Sequence, residues 1–141
     1  MTERTPGIIG PVIDKLAWIR IENGRMLAAR SRGRDVYFLP GGKRESGESD
    51  EQALIREIGE ELTITLHRES LRLLHVFEAQ AHGKSRGEFV RMTCFTGDYS
   101  GQLRPAAEIE EIAWLTHADR ERMSLVTQNI ADWLRDRGEL Q

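Results

Sequence analysis

Two segments of the chain repeat their apolar residues at the spacing of an amphipathic helix. The first predicted helix spans 49–62, with Ser49 as its N-cap and with Asp50 and Glu51 favouring the positive end of the helix dipole. The second spans 124–137 and is predicted to end at Gly138. The residues predicted to face the core are Leu54, Ile55, Ile58 and Leu62 in the first helix, and Leu125, Ile130, Trp133 and Leu134 in the second.

Shorter apolar runs predict strands around these helices. The predicted strands are 12–21, 25–30, 36–39, 71–81, 88–99 and 109–115. Asn23-Gly24 predicts a hairpin turn, because both residues tolerate the positive φ of a type I′ turn, and 1–10 reads as a loose N-terminal segment. Strands that dominate a chain with two helices predict an α/β (α+β) fold, with helices covering a mixed sheet. At this length, residues 1–141 are expected to form a single domain.

Composition narrows the class of protein. With 39% apolar and 30% charged residues, the chain resembles an ordinary globular protein. A net charge of −3 argues against a nucleic-acid polymer as partner, although a metal ion can still bridge the protein to a small phosphorylated substrate. Cys94 is the only cysteine and is expected to be a buried packing residue in a protein of the reducing cytoplasm. No apolar run reaches the length of a membrane span, so no membrane partner is expected.

The sequence REIGEE places three carboxylates on the first helix. At about 100° per residue, Glu57, Glu60 and Glu61 share one sector about 100° wide. Mg²⁺ prefers oxygen ligands of this kind, and the neighbouring Gly41 could add a backbone carbonyl oxygen. The alternative is a solvated acidic face, which is common on helices.

The longer pattern resembles the Nudix box, Gly-x5-Glu-x7-Arg-Glu-U-x-Glu-Glu-x-Gly-U, where U is a bulky aliphatic residue. The matching positions are Gly42, Glu48, Arg56, Glu57, Ile58, Glu60, Glu61 and Ile64. One position departs, because Thr63 stands where the family has a glycine. A β-branched residue disfavours positive φ, so we expect the helix to end differently there or a strand to begin at once.

The resemblance implies a Nudix-type α/β/α sandwich and a metal-dependent hydrolase of nucleoside diphosphates linked to another group. It implies Mg²⁺, with Mn²⁺ as a substitute, bound by Glu57, Glu60, Glu61 and the Gly41 carbonyl. Arg56 and Glu48 would brace the loop against the helix. The general base stays open between a box glutamate and a carboxylate of a later loop, for which Glu108 and Glu111 are the candidates as base or metal ligand.

Other residues are assigned on weaker grounds. Arg30 and Arg32 are candidates for clamping substrate phosphates, against the alternative of a solvated basic loop. One of Tyr37 and Phe38 could face a nucleobase. The four histidines and Trp18 and Trp114 are expected to have structural rather than catalytic roles; the histidines are His67, His75, His82 and His117.

The substrate is inferred by exclusion. Residues 77–83, FEAQAHG, lack the proline and tyrosine that mark the family's ADP-ribose and dinucleoside polyphosphate hydrolases. A nucleoside triphosphate, ordinary or oxidised, is therefore the first expectation. ADP-ribose or a nucleotide sugar is the alternative, and a non-catalytic nucleotide-sensing module is the alternative from another class. Many relatives look dimeric, which makes a homodimer one expectation, but no segment identifies its interface.

Overall fold

The computed structural model describes residues 12–80 and 88–141. Nine strands and two α-helices follow one another within this part of the chain, with short 3₁₀ turns at Arg68–Ser70 and His117–Arg122. The elements are β1 (Val12–Trp18), β2 (Ile21–Glu22), β3 (Arg25–Ser31), β4 (Gly41–Gly42), α1 (Asp50–Leu62), β5 (Thr65–Leu66), β6 (Arg72–Gln80), β7 (Phe89–Thr96), β8 (Tyr99–Ser100), β9 (Ile109–Leu115) and α2 (Leu125–Asp136). The loose segment predicted for 1–10 and the turn that carries His82 lie outside the described residues.

The strands form two principal sheets with a helix on either side. The first sheet has the order β4-β1-β7-β6 and is mixed, because β1 and β7 run parallel and its other pairs are antiparallel. The second has the order β2-β3-β9 and is antiparallel. Alternate residues of β1 enter opposite cores, since Leu16 and Trp18 pack with α1 while Ala17 packs with α2. The predicted class, a mixed sheet flanked by helices, is confirmed.

The first helix begins as predicted. Ser49 is its N-cap and forms a reciprocal capping box with Gln52, which satisfies two backbone N–H groups at the helix start. Leu54, Ile58 and Leu62 are fully buried, whereas Ile55 is only partly buried. This packing fixes the rotation of α1, and with it the direction in which the glutamates of the adjoining face point.

The end of α1 differs from the expectation. Thr63 adopts the left-handed conformation (φ 61°, ψ 27°), and its N–H donates to the Gly59 carbonyl at 3.1 Å. The Thr63 hydroxyl donates to the Gln102 carbonyl at 3.1 Å. Because that hydrogen bond offsets part of the backbone strain, threonine ends the helix in the conformation that glycine would adopt. The expectation of a different helix end was therefore wrong, and the next strand, β5, begins two residues later at Thr65.

Three predicted strands are broken in the structure. The predicted strand 88–99 ends as β7 at Thr96, and Tyr99 belongs to β8, which pairs with β5 in a separate two-stranded sheet. The segment 12–21 is divided between β1, in the first sheet, and β2, which forms a hairpin with β3 in the second. At this hairpin Asn23 and Gly24 have φ values of 54° and 75°, as the type I′ turn requires. The segment 36–39 makes only isolated bridges, from Tyr37 to Met123 and from Phe38 to Ala29.

The second helix begins after Ser124 and its C-cap is Arg137. Ile130 and Leu134 are buried as predicted, but Leu125 is 38% exposed because the first turn of α2 leaves this position outside the core.

Trp18 is completely buried and its indole N–H donates to the Gly97 carbonyl, which agrees with a structural role. Cys94 is also buried, and burial raises the pKa of its thiol to about 12. No helix within the described residues is long and apolar enough to cross a membrane.

Candidate active site

A cavity of about 490 Å³ lies beside the loop that joins β3 to α1. Its walls have two chemical characters. Carboxylates and cationic side chains line one part, namely Glu57, Glu61, Glu108, Lys15, Arg34 and Lys43. Apolar side chains line the rest, namely Ile13, Val36, Phe38, Leu39, Val90, Met92 and Val126, together with the polar Gln80 and Ser124.

The two glycines of β4 let backbone and carboxylates approach closely. Gly41 has φ of +152°, and a Cβ at this position would overlap the Leu16 carbonyl oxygen of β1. At Gly42 a Cβ would overlap the carboxylate of Glu57. Only glycine therefore fits at these positions without a shift of the strand or of Glu57.

Glu61 is a buried carboxyl group with only 4% of its surface exposed. Burial raises its pKa to about 8; the Gly41 N–H, which donates to its Oε1 at 3.0 Å, opposes this rise, and the nearby carboxyls of Glu108 and Glu57 add to it. Glu108 lines the same cavity, with its carboxyl group close to that of Glu61. A buried group of carboxylates that holds a proton at neutral pH has too little positive charge around it.

Arg56 supplies the positive charge at the other end of the acidic face. Its Nε and Nη2 donate to the two oxygens of Glu48 at 2.7 and 2.9 Å, and its Nη1 donates to Glu57 at 2.8 Å and to Glu60 at 3.4 Å. The Lys43 carbonyl accepts a further hydrogen bond from Nη2 at 3.1 Å. Hydrogen bonds from Arg56 and from the Glu45 backbone lower the pKa of Glu48 to about 2. The expected bracing of the loop against the helix is thus present in the geometry.

The residues present fit a divalent cation in chemistry, although they are not already arranged around one. Within 12–80 and 88–141, no three acidic, histidine or cysteine side chains converge on one point as ligands. Arg56 draws Glu57 and Glu60 toward itself, and Glu61 turns to the Gly41 N–H. The pKa of Glu61 is raised, and Gly42 leaves space for the Glu57 carboxylate. A hard cation bound between these two carboxylates would supply the positive charge that they lack.

The two carboxylates proposed on the later loop lie in different surroundings. Glu108 lines the cavity beside Glu61. Glu111 is instead paired with Arg30, whose Nε and Nη2 donate to its Oε1 at 3.2 and 3.1 Å. Hydrogen bonds from Tyr37 and Arg30 lower the pKa of Glu111, which describes a structural ion pair outside the cavity wall.

The two arginines proposed as phosphate clamps are also paired. Arg32 donates from Nε to Glu110 at 3.2 Å, and neither Arg30 nor Arg32 lines the cavity. The cationic side chains that do line it, Lys15, Arg34 and Lys43, were not identified from the sequence. Lys43 directly follows the two glycines of the loop, which is a signal that could have identified it. Phe38 rather than Tyr37 lines the cavity, because Tyr37 is 4% exposed and bonded to Arg122.

Comparisons with known proteins identify the family of this chain. The NUDIX domain family matches residues 14–135. A MutT NUDIX hydrolase from Burkholderia pseudomallei is 29% identical over 79% of this chain and 95% of its own, with a TM-score of 0.60. The ORF135 protein of E. coli is 24% identical over 89% of this chain and 92% of its own, with a TM-score of 0.64. A MutT protein from Methanosarcina mazei Go1, 20% identical over 92% and 96%, has a TM-score of 0.67 and supports the fold alone. No curated protein matches significantly.

The chain belongs to the NUDIX family, which confirms the resemblance drawn from the box residues. Its enzyme class follows from the family and from the MutT-like hydrolases among its structural neighbours: it is a Nudix pyrophosphohydrolase. Enzymes of this family use a divalent metal and act on nucleotide substrates.

Proposed function

We propose that this protein catalyses the Mg²⁺-dependent hydrolysis of a nucleoside triphosphate, ordinary or oxidised, to a monophosphate and pyrophosphate. It would do so in the cytoplasm, as the sequence predicts. The observation that carries the proposal is the cavity with two chemical parts, which correspond to the two parts of a nucleotide. Its apolar wall suits a base, and its mixed wall of carboxylates and cations suits a metal-bound polyphosphate.

The proposal assigns the metal to the carboxylates around Gly41 and Gly42. Glu57, Glu60 and Glu61 would hold it together with the Gly41 carbonyl, and Glu108 is favoured over Glu111 because only Glu108 lies beside Glu61. When bound, Mg²⁺ neutralises charge on the phosphoryl oxygens and makes a nearby water more acidic.

The other residues of the cavity would bind and orient the substrate. Lys15 and Lys43 contribute positive charge to a wall that must accept several phosphate charges. Phe38 and Met92 provide an apolar surface against which a base can pack. Arg56 would hold Glu48 and the loop in place rather than contact the reacting atoms.

The proton acceptor for the attacking water is proposed among the box glutamates and Glu108. Glu61 has a pKa raised to about 8, which is the range in which a carboxyl group can accept and release a proton near neutral pH. A carboxylate that also binds the metal would lose much of this basicity. Substitution of Glu61 and of Glu108, one at a time, would therefore show which of them accepts the proton and which binds the metal.

Product analysis tests the proposed function. Metal-stripped protein is incubated with Mg²⁺ and a panel of ordinary and oxidised nucleoside triphosphates, ADP-ribose, nucleotide sugars and dinucleoside polyphosphates. The expected result is monophosphate and pyrophosphate from a triphosphate, and no product without metal. Glu61→Gln should lose most of the turnover, whereas Glu69→Gln, which removes one charge from an exposed carboxylate on the 3₁₀ turn, should not.

Other outcomes would change the assignment. Monophosphate plus a sugar phosphate as the preferred products would move the enzyme to the ADP-ribose or nucleotide-sugar hydrolases. Binding of Mg²⁺ and nucleotide without turnover of any substrate would favour the sensing module. Undiminished turnover by Glu61→Gln would contradict the proposed metal site.

A further inference from the structure

The end of β3 and the loop that follows it carry three arginines in five residues, and these arginines differ in their side-chain partners. Arg30 makes a two-pronged ion pair with Glu111, and its Nη1 also donates to the Arg34 carbonyl at 3.0 Å. Arg32 donates to Glu110 at 3.2 Å and to the Ala107 carbonyl at 3.3 Å. These two side chains therefore hold the loop against β9 and the residues just before it.

The Arg34 backbone is fixed while its side chain is not engaged. Its N–H donates to the Ser31 carbonyl at 3.0 Å, and its own carbonyl accepts the bond from Arg30. The guanidinium group is exposed, lines the cavity and makes no hydrogen bond or ion pair with any residue in 12–80 or 88–141. An arginine held at its backbone but without an acidic partner is placed to bind an anionic ligand.

Its position on the cavity wall is set by the loop's contact with Glu108. The Arg32 N–H donates to the Glu108 carbonyl at 2.8 Å, so the loop lies next to the segment that brings Glu108 to Glu61. A register shift between Arg30 and Ser31 interrupts the pairing with β9, and beyond it Ser31 and Arg34 both line the cavity. Arg34 thus lies at the exposed edge of the same cavity that Glu61 and Glu108 line.

We propose that Arg34, rather than Arg30 or Arg32, binds phosphate oxygens of the substrate's polyphosphate chain. The assignment rests on the proposed function, since it presumes a polyphosphate in this cavity. A guanidinium can donate two parallel hydrogen bonds to a phosphate group. Arg34 can do so without giving up a partner, whereas Arg30 and Arg32 would each have to leave a glutamate unpaired.

Binding of inorganic tripolyphosphate tests this assignment without depending on a nucleobase or on turnover. Its affinity for the protein is measured by calorimetry at a fixed concentration of free Mg²⁺, together with kcat and KM for whichever nucleoside triphosphate is cleaved. The variants are Arg34→Ala, Arg34→Lys and Arg32→Ala. Arg68→Ala is the matched control, because it removes the same charge from an exposed position on the 3₁₀ turn between β5 and β6.

Arg34→Ala is expected to weaken tripolyphosphate binding by about tenfold or more and to raise KM, as the loss of a charge-assisted hydrogen bond implies. Arg34→Lys should recover part of the affinity, since it keeps the charge but not the two-pronged geometry. Arg32→Ala and Arg68→Ala should each change affinity by less than about twofold, the range of an exposed charge. Unchanged urea midpoints would show that the variants remain folded.

Two results would overturn the assignment of Arg34 alone. One is tripolyphosphate binding by Arg34→Ala that equals wild type while the wild-type protein cleaves nucleotides. The other is an equal loss in Arg32→Ala, which would return the phosphate contact to the loop as a whole. A wild-type protein that neither binds tripolyphosphate nor cleaves any nucleotide overturns both this assignment and the proposed function.

Discussion

In the metal-free protein, the Glu61 carboxyl group should make folding less favourable as the pH rises. Its pKa is about 8 in the folded chain because the group is buried, against 4.5 for a free glutamate. Between these values the folded protein binds a proton that the unfolded chain releases. By linkage, the contribution of Glu61 to stability is present below pH 4.5 and is lost as the pH rises toward 8. The sign is opposite to that of a carboxylate held in an ion pair.

The size of the effect follows from the shift. A tenfold change in proton affinity corresponds to about 1.4 kcal/mol, so full ionisation of Glu61 would cost on the order of 5 kcal/mol. Relaxation of the site and entry of water reduce this, and we expect a loss on the order of 2 kcal/mol between pH 5 and pH 8. Glu61→Gln removes the titration and keeps a side-chain oxygen for the Gly41 N–H. Glu61→Gln, which the proposed function expects to lose turnover, should therefore be more stable than wild type at pH 8.

Urea unfolding in EDTA at pH 5, 6.5 and 8 measures this difference for wild type, Glu61→Gln and Glu69→Gln. The gap between wild type and Glu61→Gln should widen as the pH rises, while Glu69→Gln should follow wild type throughout. Saturating Mg²⁺ at pH 8 should raise the stability of wild type more than that of Glu61→Gln, because a bound ligand stabilises only the form that holds it. A gap of the same size at pH 5 and pH 8 would refute the reasoning, since it would show that Glu61 does not titrate in this range.

Three further predictions concern the groups around the helix. Gly42→Ala should reduce kcat by at least tenfold while the protein stays folded, because the added Cβ displaces the Glu57 carboxylate. Circular dichroism and single-turnover kinetics would separate this loss from unfolding, and full activity would contradict the close approach of Glu57 to Gly42. The free energy of unfolding in urea should be higher for Thr63→Gly than for Thr63→Ala by about 1 kcal/mol, because both variants lose the hydroxyl contact but only glycine is unstrained at positive φ. The reverse order would mean that residue 63 does not adopt the left-handed conformation. Glu48→Gln should lower the free energy of unfolding at pH 7 but not near pH 2. Arg56 lowers the pKa of Glu48 to about 2, so the stability that the Glu48 carboxylate contributes is lost as the pH falls through that value. A loss of stability that persists in acid would point to packing instead.

The relative positions of the candidate site residues on α1 could be predicted from the sequence. Glu57, Glu60 and Glu61 share a sector because helix geometry converts spacing along the chain directly into direction. Glu48 and Arg56 form the predicted pair, and the capping box of Ser49 fixes where the helix begins. Such relations are local, so they need no knowledge of how the sheets assemble.

The loop-borne half could not be predicted in the same way. The β-bulge at Arg30 and Ser31 changes which side chains of the following residues point toward the cavity, and a bulge leaves no clear pattern of residue types. Sequence reasoning therefore selected Arg30 and did not select Arg34. The predicted strand at 36–39 was wrong for a related reason, because its backbone bonds go to β3 and to the segment before α2 rather than to a continuous ladder.

The position of Glu108 shows why side-chain chemistry alone does not define this site. The last carbonyls of α1 lack partners within the helix, and two of them, at Glu61 and Leu62, accept hydrogen bonds from the Ala106 and Arg104 N–H groups at 2.9 and 3.0 Å. These bonds draw the loop before β9 to the helix end, and the loop then brings Glu108 beside Glu61. Because every donor and acceptor in this connection belongs to the backbone, almost any residues at 104 and 106 could make it. The helix end that carries Glu61 therefore also holds nearby a second carboxylate, which adds to the rise in the pKa of Glu61 that burial causes, through contacts that leave no signature in the sequence.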